Sequence, residues 1–87
     1  MSASKDYKRA LQKSLEDVCL EVEQAKGIFS AAFVNYHEAH AVIREEFDEL
    51  WNEVKKKNPD EEKIRTEAKQ TAAMCLRLMV ELTDSTR

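Results

Sequence analysis

Apolar residues recur at steps of three and four along three stretches of the chain, as they do on one face of an α-helix. The first stripe consists of Leu11, Leu15, Val18, Cys19 and Val22. The second consists of Ala39, Ile43, Phe47, Leu50 and Val54. The third consists of Ile64, Ala68, Thr71, Cys75, Leu78 and Leu82. These stripes predict three amphipathic helices and an all-α fold.

Residues that begin or end helices divide the chain between the stripes. Gly27 is expected to end the first helix, over about 4–26, because glycine commonly follows the last helical residue. The next residues, "IFSAAFVN", show no clear period. We interpret them as an apolar connection that packs against the helices.

The second and third helices each begin with a recognisable cap. Asn35, with a glutamate three residues later, is typical of a capping box and predicts a helix over 35–57 whose last turn is "KKK". Asn58 is expected to cap the third helix, with Pro59 at its first position and its end near residue 83. The short connection "KNPD" predicts that these two helices pack as an antiparallel hairpin.

The composition agrees with a small helical domain. The 87 residues include one glycine and one proline, and 36% are charged, which is typical of long helices. We expect a single domain over residues 1–87. Because a chain this short buries only about 60 to 65% of its unfolded surface, we expect a homodimer or homotetramer to complete the helical bundle.

Charge and hydropathy narrow the range of partners. The net charge of −3 gives no bulk attraction to nucleic acid, and no apolar run approaches the ~18 residues of a membrane helix. Cys19 and Cys75 lack the spacing of a zinc site or a redox pair and are expected to be reduced thiols in the core. We therefore expect a soluble, cytoplasmic protein that binds neither nucleic acid nor membrane.

The stretch "REEFDELW" contains four acids that point in different directions. At about 100° per residue, Glu46 and Glu49 lie along one border of the apolar face of their helix. Glu45 points away from that face, and Asp48 lies on the opposite side. Only Glu46 and Glu49 are therefore candidates for a shared site.

Glu67 and Gln70 repeat this border on the third helix. Both pairs lie about ten residues from the predicted turn, so a hairpin would place them at similar heights. Carboxylates arranged in this way can share Mg²⁺, which prefers oxygen ligands, with Mn²⁺ as an alternative. A solvated acidic face is the alternative interpretation, because a Glu-x-x-Glu pair is common in a chain with this many glutamates.

The sequence resembles a known family at these residues. "EEFDEL" and "TEAKQTAAM" are similar to the Glu-x-x-Glu and Glu-x-x-Asp motifs of the MazG-like, all-α nucleoside triphosphate pyrophosphohydrolases. "NYHEAHAVIREEFDELWNEVKKK" and "EAKQTAAMCLRLM" resemble small bacterial and phage members in particular. The similarity covers about residues 35–82.

The resemblance implies a hydrolase that cleaves a nucleoside triphosphate to a monophosphate and pyrophosphate with Mg²⁺. It implies that Glu46, Glu49 and Glu67 bind the metal, with Gln70 at the fourth ligand position and Glu45 as a base or supporting residue. The family pattern has an aspartate where this chain has Gln70, which contributes no charge. A non-catalytic, oligomeric helical protein with a degenerate metal site is therefore the alternative function.

Three further residues are candidates for contact with the substrate. Phe29 and Phe33, in the irregular connection, are the best aromatic candidates to stack on a nucleobase, although packing in the core is the more common role of such residues. Arg77 lies on the border of the third helix and can contact phosphate, although pairing with Glu81 one turn later is the simpler expectation.

Overall fold

The computed structural model describes residues 3–28 and 31–83, with side chains for 5–25 and 31–83. The described residues form three α-helices and no strand, which confirms the predicted all-helical fold. The elements are α1 (Ala3–Ile28), α2 (Tyr36–Val54), α3 (Glu61–Leu78) and a five-residue π-helix (Met79–Thr83) that continues α3. No helix among these residues is both long and apolar enough to cross a membrane.

The first helix extends past the glycine that was expected to end it. α1 continues through Gly27 to Ile28. A glycine inside a helix costs only about 1 kcal/mol relative to alanine, which a helix of 26 residues tolerates. In the connection that follows, Phe33 is buried whereas Val34 is exposed. The connection therefore packs inward through Phe33, as the sequence suggested.

The start of α2 follows the predicted cap closely. The side chain of Asn35 accepts a hydrogen bond from the amide of Glu38, at 2.8 Å. The carboxylate of Glu38 accepts in turn from the amide of Val34, at 3.0 Å, one residue earlier than a standard capping box requires. This reciprocal pair of bonds positions the first turn of α2.

The ends that face the α2–α3 connection differ from the prediction. α2 ends at Val54, so Lys55–Lys57 follow the helix instead of forming its last turn. The cap of α3 is Asp60, whose carboxylate accepts from the amides of Glu62 and Lys63, and Pro59 precedes the cap. A carboxylate interacts more favourably with the positive end of a helix than the neutral Asn58 would.

The third helix lies between the other two. Ion pairs join Asp17 to Arg65, at 2.9 Å, and Glu21 to Lys69, at 3.5 Å, so α1 and α3 run in the same direction. α2 packs along the other side of α3. This arrangement leaves an open layer of helices, with a cleft on one face.

The core of this layer is small. Five apolar residues are buried: Ala25, Phe33, Ala39, Ala73 and Met74. Ala39 and Ala73 are fully covered, because their small side chains allow close packing of the helices. Among the predicted stripe residues, Phe47 and Val54 are more than 40% exposed, and Ala68 and Cys75 are exposed as well. Cys19 of α1 is exposed too. The expected burial of these residues is wrong for the single chain, because no other element in the described part of the chain covers them.

Candidate metal centre

Three glutamates meet where α2 and α3 pack together. Glu46 and Glu49, one turn apart on α2, and Glu67 of α3 each place a carboxylate oxygen within 4.8 Å of the others. This is the one cluster of three potential metal ligands found among the described residues. The structure thus brings together three of the four residues that the sequence nominated as ligands.

Two of these carboxylates are partly withdrawn from water. One oxygen of Glu46 and one of Glu67, Oε2 in each case, are buried and have no hydrogen-bond partner in the described part of the chain. Burial, reinforced by the negative charges of Glu49 and Glu67, raises the pKa of Glu46. Burial and the charge of Glu49 likewise raise the pKa of Glu67. Withdrawal from water and the nearby negative charges thus both disfavour the ionised forms of these two side chains.

The cluster fits a hard divalent cation. Its ligands are all carboxylate oxygens, which Mg²⁺ and Mn²⁺ prefer over nitrogen or sulfur. A cation there would give the two unpartnered oxygens an electrostatic partner and remove the repulsion among the three acids. The donor set by itself does not distinguish Mg²⁺ from Mn²⁺.

A cleft of about 470 Å³ opens beside the cluster, between α1 and α2. Its walls include Glu45 and Glu46 of α2 and Gln70, Met74 and Arg77 of α3. Gln70 and Glu45 therefore lie in the wall that Glu46 shares. The cleft lies within the range of about 300 to 1,000 Å³ that is usual for small-molecule sites.

The first helix supplies cleft residues that the sequence patterns did not single out. Glu21, Gln24 and Ala25 form the α1 wall of the cleft. Their three- and four-residue spacing places them on one face of α1, but nothing local showed which helix they oppose. That relation depends on the parallel packing of α1 on α3.

Arg77 is held by a buried network at the C-terminal end of α3. Its guanidinium binds both oxygens of Glu81, at 2.9 and 3.3 Å, and donates to the carbonyl of Ala31. It also stacks over the Phe33 ring, 4.2 Å from its centroid. Glu81 accepts in addition from the amide of Phe33, at 2.8 Å.

This network determines where the predicted substrate contacts lie. Arg77 lines the cleft, but its side chain is only 6% exposed. It pairs with Glu81 one turn later, which was the simpler of the two expectations from the sequence. Phe33 packs beneath the guanidinium and is 7% exposed. Phe29 lies outside the described residues.

Comparison with known proteins identifies no relative. No family model, curated protein or solved structure matches the chain. The similarity of the acidic motifs to the MazG-like enzymes therefore remains a hypothesis.

Proposed function

We propose that this protein is a divalent-cation-dependent nucleotide pyrophosphohydrolase that converts nucleoside triphosphates to monophosphates and pyrophosphate. The observation that carries the proposal is the convergence of Glu46, Glu49 and Glu67 oxygens within 4.8 Å, at the edge of a cleft large enough for a small molecule. The resemblance of "EEFDEL" and "TEAKQTAAM" to the acidic motifs of MazG-like enzymes supports it.

The residues around the cleft have distinct roles in this proposal. Glu46, Glu49 and Glu67 hold Mg²⁺, or Mn²⁺ in its place. The cation supplies positive charge that neutralises phosphate oxygens and lowers the pKa of a water molecule. Glu45, which lies in the cleft wall, accepts a proton from the attacking water or orients a ligand carboxylate.

Substrate binding is assigned to the other end of the cleft. Arg77 contacts phosphate there, and Phe33 beneath it holds the guanidinium in place. Phe29 remains a predicted contact to the base. Because Glu81 already pairs with Arg77, the guanidinium contributes hydrogen bonds more than net charge to a bound triphosphate.

The proposal also includes a helical hairpin and an assembled oligomer. α2 and α3 would run antiparallel, which the short connection between Val54 and Glu61 and the meeting of Glu46 with Glu67 support. The chain would act as a homodimer or homotetramer, because a chain of this length buries only about 60 to 65% of its unfolded surface.

A non-catalytic helical protein is the second candidate, and two observations favour it. Gln70 stands where the family motif has a charged ligand, so that the site carries three carboxylates and not four. Arg77 is buried in an ion pair, which reduces the positive charge available to a triphosphate. Such a protein would retain a weak cation site without hydrolysing nucleotides.

Pyrophosphate release is the test of the proposed activity. Purified protein with Mg²⁺ or Mn²⁺ is expected to release pyrophosphate from at least one member of a panel of ribo- and deoxyribonucleoside triphosphates. Calorimetry is expected to show cation binding. Glu46→Gln combined with Glu49→Gln should abolish both, whereas Glu23→Gln, an exposed glutamate on α1, should change neither.

The possible outcomes separate the two candidates. Cation binding that depends on Glu46 and Glu49, without pyrophosphate release from any triphosphate, would support the non-catalytic protein. Absence of both cation binding and pyrophosphate release would contradict the metal centre itself.

A further inference from the structure

The apolar stripes that the single chain leaves uncovered form one continuous face. On α2 the uncovered residues are Phe47, Trp51 and Val54, exposed by 53%, 53% and 41%. On α1 they are Leu11 and Leu15, about half exposed, which continue the stripe of the half-buried Val18 and Val22. On α3 they are Ala68 and Cys75, and Met79 follows at the start of the π-helix.

Helical geometry places these stripes on the same side of the layer. At about 100° per residue, the centre of each stripe lies about 100° to 150° around its helix from the residues that line the cleft. α3 separates α1 from α2, so a residue that points away from the cleft points to the opposite face. The cleft and the carboxylates thus occupy one face, and the apolar stripes occupy the other.

The chain as a whole exposes more surface than a compact monomer of its size, by about as much as a subunit interface would cover. The chain exposes 6794 Å² of surface, whereas a compact monomer of 10.1 kDa exposes only about 5,300 Å². The excess of about 1,500 Å² per chain corresponds to about 3,000 Å² for a pair, within the range of obligate homodimers. The radius of gyration of 14.7 Å also exceeds the value of about 12 Å for a compact domain of this length.

We propose that this apolar face, built from Leu11, Leu15, Phe47, Trp51, Val54 and Cys75, binds the same face of a second copy of the chain. Each copy exposes the same apolar face, and a two-fold axis would bury both faces in one contact. Face-to-face packing of two three-helix layers would complete the core that neither layer has alone, and it would leave the cleft on each outer side open.

Matched substitutions and mass measurement test this proposal. By light scattering or sedimentation, the wild-type mass is expected to be a multiple of the 10.1 kDa chain. Phe47→Glu should shift it to the monomer. Leu20→Glu should leave it unchanged, because Leu20 is similarly exposed at 55% but lies about 170° around α1 from the stripe. A monomeric wild type would overturn the proposal, as would dissociation by Leu20→Glu alone.

Cysteine reactivity decides the case if Phe47→Glu does not fold. Cys75 lies near the centre of the α3 stripe and is exposed in the single chain. In the wild type, alkylation of Cys75 is expected to be about tenfold slower in the folded protein than in the chain unfolded in urea, since in the folded protein it must await dissociation. Equal rates in the folded and unfolded protein would contradict the assigned face.

Discussion

At the α2–α3 contact, burial opposes the ionisation of two carboxylates, those of Glu46 and Glu67. Burial raises the pKa of Glu46 and of Glu67, so the folded chain binds their protons more tightly than the unfolded chain does. This destabilising contribution is absent below the ordinary pKa of 4.5 and complete above the raised values. Without metal, these two residues therefore make the free energy of unfolding fall as the pH rises through that window.

Neutralising either carboxylate should remove part of this pH dependence. In EDTA at pH 7, Glu46→Gln or Glu67→Gln is expected to raise the free energy of unfolding, because it removes a charge that burial and the neighbouring carboxylates disfavour. The decline above pH 4.5 should also become shallower, as measured by urea unfolding at several pH values. Glu23→Gln is the control and should change stability by less than about 0.5 kcal/mol. A decline as steep as that of the wild type would show that the acids do not repel.

Gln70 decides how much negative charge surrounds a cation. Gln70→Glu places a fourth carboxylate in the cleft wall beside Glu46 and is expected to tighten Mn²⁺ binding by about tenfold, since affinity follows ligand charge. Gln24→Glu adds the same charge to the α1 wall and should have a smaller effect. Equal effects in calorimetry would indicate a diffuse electrostatic attraction without a specific fourth position.

The apolar stripes predict that each helix exists, whereas the capping residues determine where it begins. Asn35 begins α2 as expected, but Asp60, not Asn58, caps α3. The local sequence "KNPDEE" contains both candidates one residue on either side of Pro59. Geometry selects Asp60, whose extended backbone lets its carboxylate reach two free amides.

Removal of the correct cap should weaken α3 measurably. Asp60→Ala is expected to lower the free energy of unfolding by about 1 kcal/mol, the usual effect of losing an N-cap. Asn58→Ala should change it by a few tenths at most. The reverse order in chemical denaturation would restore Asn58 as the cap.

A second element-scale feature is the buried pair that joins the end of α3 to the α1–α2 connection. Arg77→Met removes the buried ion pair with Glu81 and is expected to cost about 3 kcal/mol. Arg44→Met removes an exposed arginine that pairs with Asp48 at the same four-residue spacing, and should cost less than about 1 kcal/mol. Similar losses in denaturant unfolding would mean that burial adds nothing to the Arg77–Glu81 pair.

At the scale of the whole molecule, the small core and the large apolar face have one cause, because many apolar residues are exposed on that face and not buried. Phe33 and Met74 are the largest of the five buried apolar residues, so the single chain has little to offset the loss of conformational entropy on folding. If a second copy covers the opposite face, as proposed, the folding of the chain is linked to its assembly.

The thermal midpoint should accordingly depend on protein concentration. If each chain folds together with a second copy, the midpoint rises as the concentration increases, because association draws on the folded state. Calorimetry or circular dichroism over a hundredfold range of concentration measures this, with Phe47→Glu as the comparison. A constant midpoint for the wild type would show that the chain folds alone.

The sequence by itself determined the helical class, the three stripes, the Asn35 cap and the nomination of Glu46, Glu49 and Glu67. These features depend on periodicity and on local hydrogen bonds, which neighbouring residues specify. The ends of the helices were predicted less accurately, because several neighbouring residues can begin or end a helix. α1 continues past Gly27, α2 ends before Lys57, and Asp60 caps α3 in place of Asn58.

Only the tertiary structure decided which residues oppose each other. The meeting of Glu46 with Glu67, the α1 wall of the cleft and the Phe33–Arg77–Glu81 network join residues far apart in the chain, whose relative placement depends on how α3 lies between α1 and α2. The same packing decided that Phe47 and Cys75, which the periodicity had assigned to the interior, face outward. A hydrophobic stripe specifies that a surface needs to be covered, but the packing of the whole chain determines whether the chain can cover it.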